Sequence, residues 1–317
     1  MNTEEMERRF HIEGTQEFGY STIKKYLYFF YFYMGVVKKV CALYPCASVN
    51  YLKGYVAHFC YIRLKSFDTL LKVVVEHKDY VTANCILRML GDCVSVFRLV
   101  YLEPNEDLRL LRHCLYVLDG CERNMDVIPE ENINKDCIPR SEWEDSDKQL
   151  KFNRELRQRM MREAQEMLDN SPLKMVDENA FTKIVKDRNW KFKEFKQYKK
   201  VTSNQYQWKE LYDLIGVCDQ FDLFSYISQY AHGLSMSNLV IEMDEVNCDG
   251  IICEALGLIN RMIEYMSVFF VEERLYILQG LLEPEMRNKM LSCFDEKYRP
   301  SVAQWEKEII FGVEKNN

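Results

Sequence analysis

Apolar residues recur at intervals of three and four along most of the chain, and runs in which they alternate with polar residues are few. That period predicts amphipathic helices almost throughout. An aromatic-rich stretch, residues 18 to about 43, reads as one helix ended by Pro45. A second is expected from about Val49 to Glu76, with Tyr51, Tyr55, Phe59 and Ile62 on one side and Leu64, Phe67, Leu70 and Leu71 extending the apolar surface. Residues 79–102 are apolar on most sides but carry Asn84, Arg88, Asp92 and Ser95 as a single polar stripe. Arg88 and Asp92 stand at i, i+4, where they can pair and lower the penalty of burying either charge.

Beyond Pro104, Leu108, Leu111, Leu115 and Leu118 mark a helix from Glu106 to Asp119, with Gly120 as its expected stop. Residues 120–140 hold Pro129 and Pro139 and little periodicity, so a loop is expected there. Ser141 and Glu144 have the form of a capping box, opening a charged helix to about Asp169 with a narrow seam of Leu150, Leu156, Met160 and Leu168. Further helices are expected over Gln205–Val217 and Asp249–Leu281, the latter with Ile252, Ala255, Ile259, Ile263, Met266 and Phe270 at core spacing. Pro284 and Pro300 fall near the starts of two last helices. The expected architecture is an all-α multi-helix bundle: a core over residues 1–245 and a C-terminal helical layer over 246–317 packed on the same domain. No internal repeat is visible.

Composition agrees with that pattern. Among 317 residues there are only 12 glycines and 7 prolines, too few breakers for a strand-rich fold. The net charge of −7 argues against a protein that coats nucleic acid with its whole surface. Twelve cysteines form no C-x-x-C pair and lie near no histidine pair at zinc-ligand spacing, and the chain opens on the charged segment MNTEEMERRF. Buried thiols in a reducing cytoplasm are therefore expected, with neither a structural metal nor a cofactor. The apolar run at residues 26–37 is far short of the roughly 20 residues that a membrane span needs.

Chemistry concentrates in two places. In the stretch 221–239, FDLFSYISQYAHGLSMSNL, Phe224, Ile227, Ala231 and Leu234 form an apolar stripe. Ser225, Ser228 and His232 stand beside them at i, i+3 and i+7, and Gly233 is placed to end the helix. His232 would sit in the last turn, where the helix dipole favours its protonated form. The second place is residues 183–200, where Lys183, Lys186, Arg188, Lys191, Lys193, Lys196, Lys199 and Lys200 face only Asp187 and Glu194. Trp190, Phe192, Phe195 and Tyr198 are interleaved with them. Lysines for phosphates and rings for bases are what a nucleic-acid surface uses, although the same rings would also anchor an amphipathic helix.

The segments SYISQYAHG, WKFKEFKQYKK and QWKELYDL carry a resemblance. Together they resemble bacterial all-helical proteins of unknown function in which a helix with an arginine, and an acidic residue one turn later, packs near a Tyr-Ile/Leu-Ser-x-x-x-His segment. Such proteins are similar to the HEPN superfamily of helical bundles, many of which occur in phage defence and toxin–antitoxin systems. The resemblance covers about residues 79–239 and puts Arg88, Asp92, Tyr226, Ser228 and His232 at the matching positions. HEPN ribonucleases carry an arginine, then four to six intervening residues, then a histidine. No histidine of this chain, at 11, 58, 77, 113 or 232, has an arginine at that distance upstream.

Two readings follow. In one, the protein is an interaction or nucleic-acid-associated bundle in a defence or regulatory system. Its partner would be an RNA, another protein or a second copy of the chain, met through Lys186, Arg188, Trp190, Lys191, Lys193, Lys196, Lys199 and Lys200. The missing ribonuclease motif favours it. In the other, the protein is a ribonuclease-like enzyme with His232 as general acid or base, Arg88 on a phosphate, Asp92 as its pair, and Tyr226 or Ser228 positioning substrate. A serine hydrolase built on Ser228 and His232 ranks last, because no G-x-S-x-G elbow occurs, and the nucleotide-binding glycine motifs are absent too.

Overall fold

A computed structural model describes residues 30, 34–35, 37–45, 48–125, 140–196, 198–199, 204–217, 221–231 and 245–273. Helices hold 79% of them, and no strand occurs among them, so the fold is all-α. The helices are α1 (Leu52–Lys72), α2 (Tyr80–Tyr101), α3 (Glu106–Met125), α4 (Arg140–Asp169), α5 (Leu173–Val176), α6 (Glu178–Lys186), α7 (Trp208–Leu214), α8 (Phe221–Ala231) and α9 (Glu245–Phe269).

Local chemistry sets their ends. α1 passes into one π turn, Val73–His77, and the chain reverses at Lys78, whose φ of 51° lies in the left-handed region. Asp79 then caps α2: one carboxylate oxygen accepts the Thr82 N–H at 3.0 Å and the other the Thr82 hydroxyl at 2.6 Å. The Thr82 hydroxyl bond, followed by the backbone bond, holds the Asp79 carboxyl below its usual range. Asn105 caps α3 through the Leu108 N–H, and Asp177 caps α6 through the Ala180 N–H, each at 3.0 Å.

Two expectations change. α3 does not stop at Gly120 but runs to Met125. Gly120 is not in the left-handed conformation that a terminating glycine adopts, and buried Cys121 carries the apolar face onward. The basic segment after Pro172 holds a helix, α6, that Asp177 nucleates. The remainder of that segment is turns, pinned by an isolated antiparallel bridge between Phe192 and Gln205, and not a helix. The expected last two helices at Pro284 and Pro300, the expected loop beyond residue 125 and the Gly233 cap lie outside the described residues.

The chain forms two compact units, one of Met1–Pro45, Val56–Phe97 and Tyr212–Asn317, the other of Cys46–Tyr55 and Arg98–Leu211. In the first unit Phe97 is the hub: its ring meets Phe59 of α1 at 6.2 Å and Tyr265 and Phe269 of α9 at 6.3 and 6.4 Å. Gly91 of α2 takes the Phe224 ring of α8 so closely that an added Cβ would lie 2.2 Å from Cε1. Glycine is therefore required there for packing and not for backbone freedom. The core of the second unit combines Leu111, Leu115 and Leu118 of α3, Ala164 and Leu168 of α4, Phe181 and Ile184 of α6, and Trp190, Phe192, Phe195 and Tyr198.

Cys60, Cys85, Cys93, Cys114 and Cys121 form no disulfide. No helix among the described residues is long and apolar enough to cross a membrane.

Candidate functional site

In the first unit, α2 and α8 pack antiparallel: Tyr80 meets Tyr230 at one end and Gly91 meets Phe224 at the other. The polar stripe of α2 lies along this packing and is closed on itself. Asn84 Nδ2 donates to Tyr80 O at 2.9 Å and Ser95 Oγ to Gly91 O at 3.0 Å, each one turn back along the helix. Arg88 Nη2 stands 3.3 Å from Asp92 Oδ1, and the same oxygen accepts the Tyr212 hydroxyl. The Arg88 guanidinium lies 5.0 Å from the Tyr212 ring centroid and 5.9 Å from that of Phe224. Those two rings stack at 4.5 Å. Burial first, and then the Asp92 charge, push the Tyr212 hydroxyl above its usual range, so it remains a donor at neutral pH.

Tyr226 lies on the other part of the packing, its hydroxyl hydrogen-bonded to that of Tyr230. Burial is the first cause raising both the Tyr80 and Tyr230 hydroxyls above their usual range, and each also feels the neighbouring phenols. Ser228 is half-buried and makes no side-chain hydrogen bond among the described residues. His232 lies outside the described residues. The structure thus brings Arg88 and Asp92 into contact, seats Arg88 over the α8 residue Phe224, and joins Tyr226 to Tyr80 and Tyr230. Chemically, this is a phenol and guanidinium network around one carboxylate. A guanidinium already paired with Asp92 and flanked by two rings has little capacity left for a phosphate.

In the second unit the basic segment is a braced loop. Trp190, expected on a nucleic-acid surface, is 7% exposed, and its Nε1 donates to Asp119 Oδ2 at 3.2 Å. Phe192, Phe195 and Tyr198 are buried with it. Arg112 of α3, only 3% exposed, donates from Nη1 to Trp190 O at 3.0 Å and to Phe192 O at 2.8 Å. Its Nε faces Glu103 at 3.5 Å, and its Cζ lies 3.9 Å over the Phe192 ring. Buried Asn204 accepts the N–H groups of Lys193 and Glu194 at 2.9 Å each and donates to Glu194 O at 2.7 Å. Asn189, also buried, donates to Tyr198 Oη at 3.2 Å and to Asn204 O at 3.3 Å. Tyr198 donates in turn to Asp187 at 2.7 Å. Burial first, then that bond, push its hydroxyl up to about 12.

The cations on this framework divide into two groups. Arg188 pairs with Glu122 at 2.8 Å, Lys193 with Glu210, and Lys191 stands 5.6 and 5.2 Å over the Trp190 and Trp208 rings. Lys183, Lys186, Lys196 and Lys199 are exposed and have no ion-pair partner among the described residues. Lys200 lies outside the described residues. The braces Arg112, Asn189 and Asn204 were not foreseen. The alternation of Trp190 and Phe192 with Lys191 and Lys193 is the one signal in the sequence: both rings are buried, and Phe192 forms the bridge.

Among the described residues, no three His, Cys, Asp or Glu side chains are grouped so as to hold a metal ion. No protein-family model, curated protein or solved structure matches the chain.

Proposed function

We propose that the protein is a non-catalytic binding bundle that holds the phosphate backbone of an RNA on the basic loop of its second unit. The observation that carries this reading is the bracing of the described residues 187–196, 198–199 and 204–206 by three buried polar side chains, Arg112, Asn189 and Asn204. Burying polar groups is costly unless each finds a partner, and here the partners are the loop's own backbone and Tyr198. Such a framework holds a loop in one shape, as a preorganised binding element requires. What the loop and the end of α6 present is charge: Lys183, Lys186, Lys196 and Lys199. With the interleaved rings buried, contact falls on phosphates and not on base faces, which makes binding sequence-independent and steeply salt-dependent. The resemblance to HEPN-type bundles supports a place in phage defence or another regulatory system, and the absence of their ribonuclease motif supports binding without cleavage.

The test is fluorescence anisotropy of a labelled single-stranded RNA with the full chain and with the double variant K196E/K199E. The wild type is expected to bind, with a salt slope that falls by roughly 0.7 for each phosphate contact removed in the variant. Equal affinities and slopes for the two proteins would overturn the assignment of this loop, and tight binding of an acidic peptide in place of RNA would make the partner a protein.

A further inference from the structure

Within the first unit, α1 and α2 bring a guanidinium onto two sulfur atoms. Arg63 Nη1 donates to the Met89 thioether at 3.4 Å, and the Cys93 thiol donates to the same sulfur at 3.7 Å. Arg63 Nε is buried without a hydrogen-bond partner. The guanidinium lies 5.2 Å from the Phe59 ring centroid, and no carboxylate pairs with it among the described residues. Sulfur is a weak acceptor, so a strong charged donor faces acceptors that do not satisfy it. An oxygen atom on Met89 would.

We propose that Met89 is an oxidation site for hydrogen peroxide or an alkyl hydroperoxide, and that Arg63 receives the sulfoxide oxygen it forms. The thioether lone pair attacks one peroxide oxygen. The S–O bond forms as the O–O bond breaks, and the departing oxygen takes up the proton of the transferred one and leaves as water or an alcohol. Sulfur loses two electrons and the peroxide gains them. The Arg63 N–H groups stabilise the charge that develops on the departing oxygen and then hydrogen-bond the product, Nε included. Cys93 does not compete: burial pushes its thiol up to about 11, and a protonated thiol is a poor nucleophile, whereas a thioether needs no deprotonation. Met89 is half-buried, within reach of a molecule the size of peroxide. A sulfoxide usually disrupts the packing around it, but this one adds a charge-assisted bond between α1 and α2.

The test is peptide mass spectrometry of the full chain during exposure to hydrogen peroxide, with Met175, 95% exposed, and Met262, fully buried, as internal standards. Met89 is expected to oxidise within about threefold of the Met175 rate and at least about tenfold faster than Met262. Arg63→Gln is expected to slow Met89 about fivefold or more and to leave Met175 unchanged. Wild-type Met89 as slow as Met262 overturns the proposal whether or not the variant folds. Equal Met89 rates in wild type and in a variant with unchanged circular dichroism overturn it as well.

Discussion

His113 is fully buried in the second unit, and its protonation is one contribution to how the protein responds to acid. Its Nε2 lies 3.0 Å from Val49 O; a carbonyl only accepts, so Nε2 carries the proton and Nδ1 accepts from the Tyr101 hydroxyl at 3.4 Å. The Tyr55 ring covers it edge-on at 4.8 Å. Burial pushes the imidazole from 6.5 down to about 4, the Val49 bond opposing in part. The folded value lies below the unfolded one. The unfolded chain therefore binds the proton first, and the stability is present above about pH 6.5 and lost as pH falls toward 4. At most about 3 kcal/mol is involved, of which about 2 kcal/mol disappears between about pH 7.5 and pH 5. The exposed carboxylates of Asp79 and Glu210, held low by Thr82 and by Lys193 respectively, lose their contributions at more acid pH. Urea unfolding followed by circular dichroism at the two pH values measures the loss. His113→Gln, which keeps a donor near Val49 O and cannot titrate, is expected to be less stable at neutral pH but to lose about 2 kcal/mol less on acidification. Equal losses in wild type and variant would refute the buried neutral imidazole.

Two further perturbations test the packing. Gly91→Ala places a methyl group 2.2 Å from the Phe224 ring and must push α8 from α2 or turn the ring, so a loss of about 1–3 kcal/mol is expected in urea unfolding; an unchanged midpoint would contradict the close approach. Arg112→Met leaves Glu103 without its cation and the Trp190 and Phe192 carbonyls without their donor, for an expected loss of about 3 kcal/mol. Trypsin should then cut at Lys193, Lys196 or Lys199 several-fold faster than in wild type, and unchanged cleavage would mean that Arg112 does not brace the loop.

The helices were legible because their signal is local. The spacing of Leu64, Phe67 and Leu71, or of Ile252, Ala255 and Ile259, depends on neighbours within two turns, and the structure places those residues in α1 and α9. The Arg88–Asp92 pair was legible for the same reason, since i, i+4 is a contact within one helix. Its third member, Tyr212, lies 120 residues beyond Asp92, and no pattern in the chain points to it. Gly120 misled because a glycine in sequence does not reveal whether a positive φ is needed, and here the helix continues. In the basic segment the sequence showed charges and rings together, and only the fold separated them: Trp190 and the bridge residue Phe192 went inward, while Lys196 and Lys199 stayed out. Arg112, His113, Asn189 and Asn204 act on partners that no periodicity couples to them.

The central claim is binding without cleavage, and one experiment addresses both halves. End-labelled RNA is incubated with wild type, K196E/K199E and His232→Ala, and each mixture is resolved on a native and on a denaturing gel. Wild type and His232→Ala are expected to shift the RNA equally and leave its length unchanged, and K196E/K199E to shift it weakly. An RNA shortened by wild type but intact with His232→Ala, or no shift by wild type at all, would contradict the account.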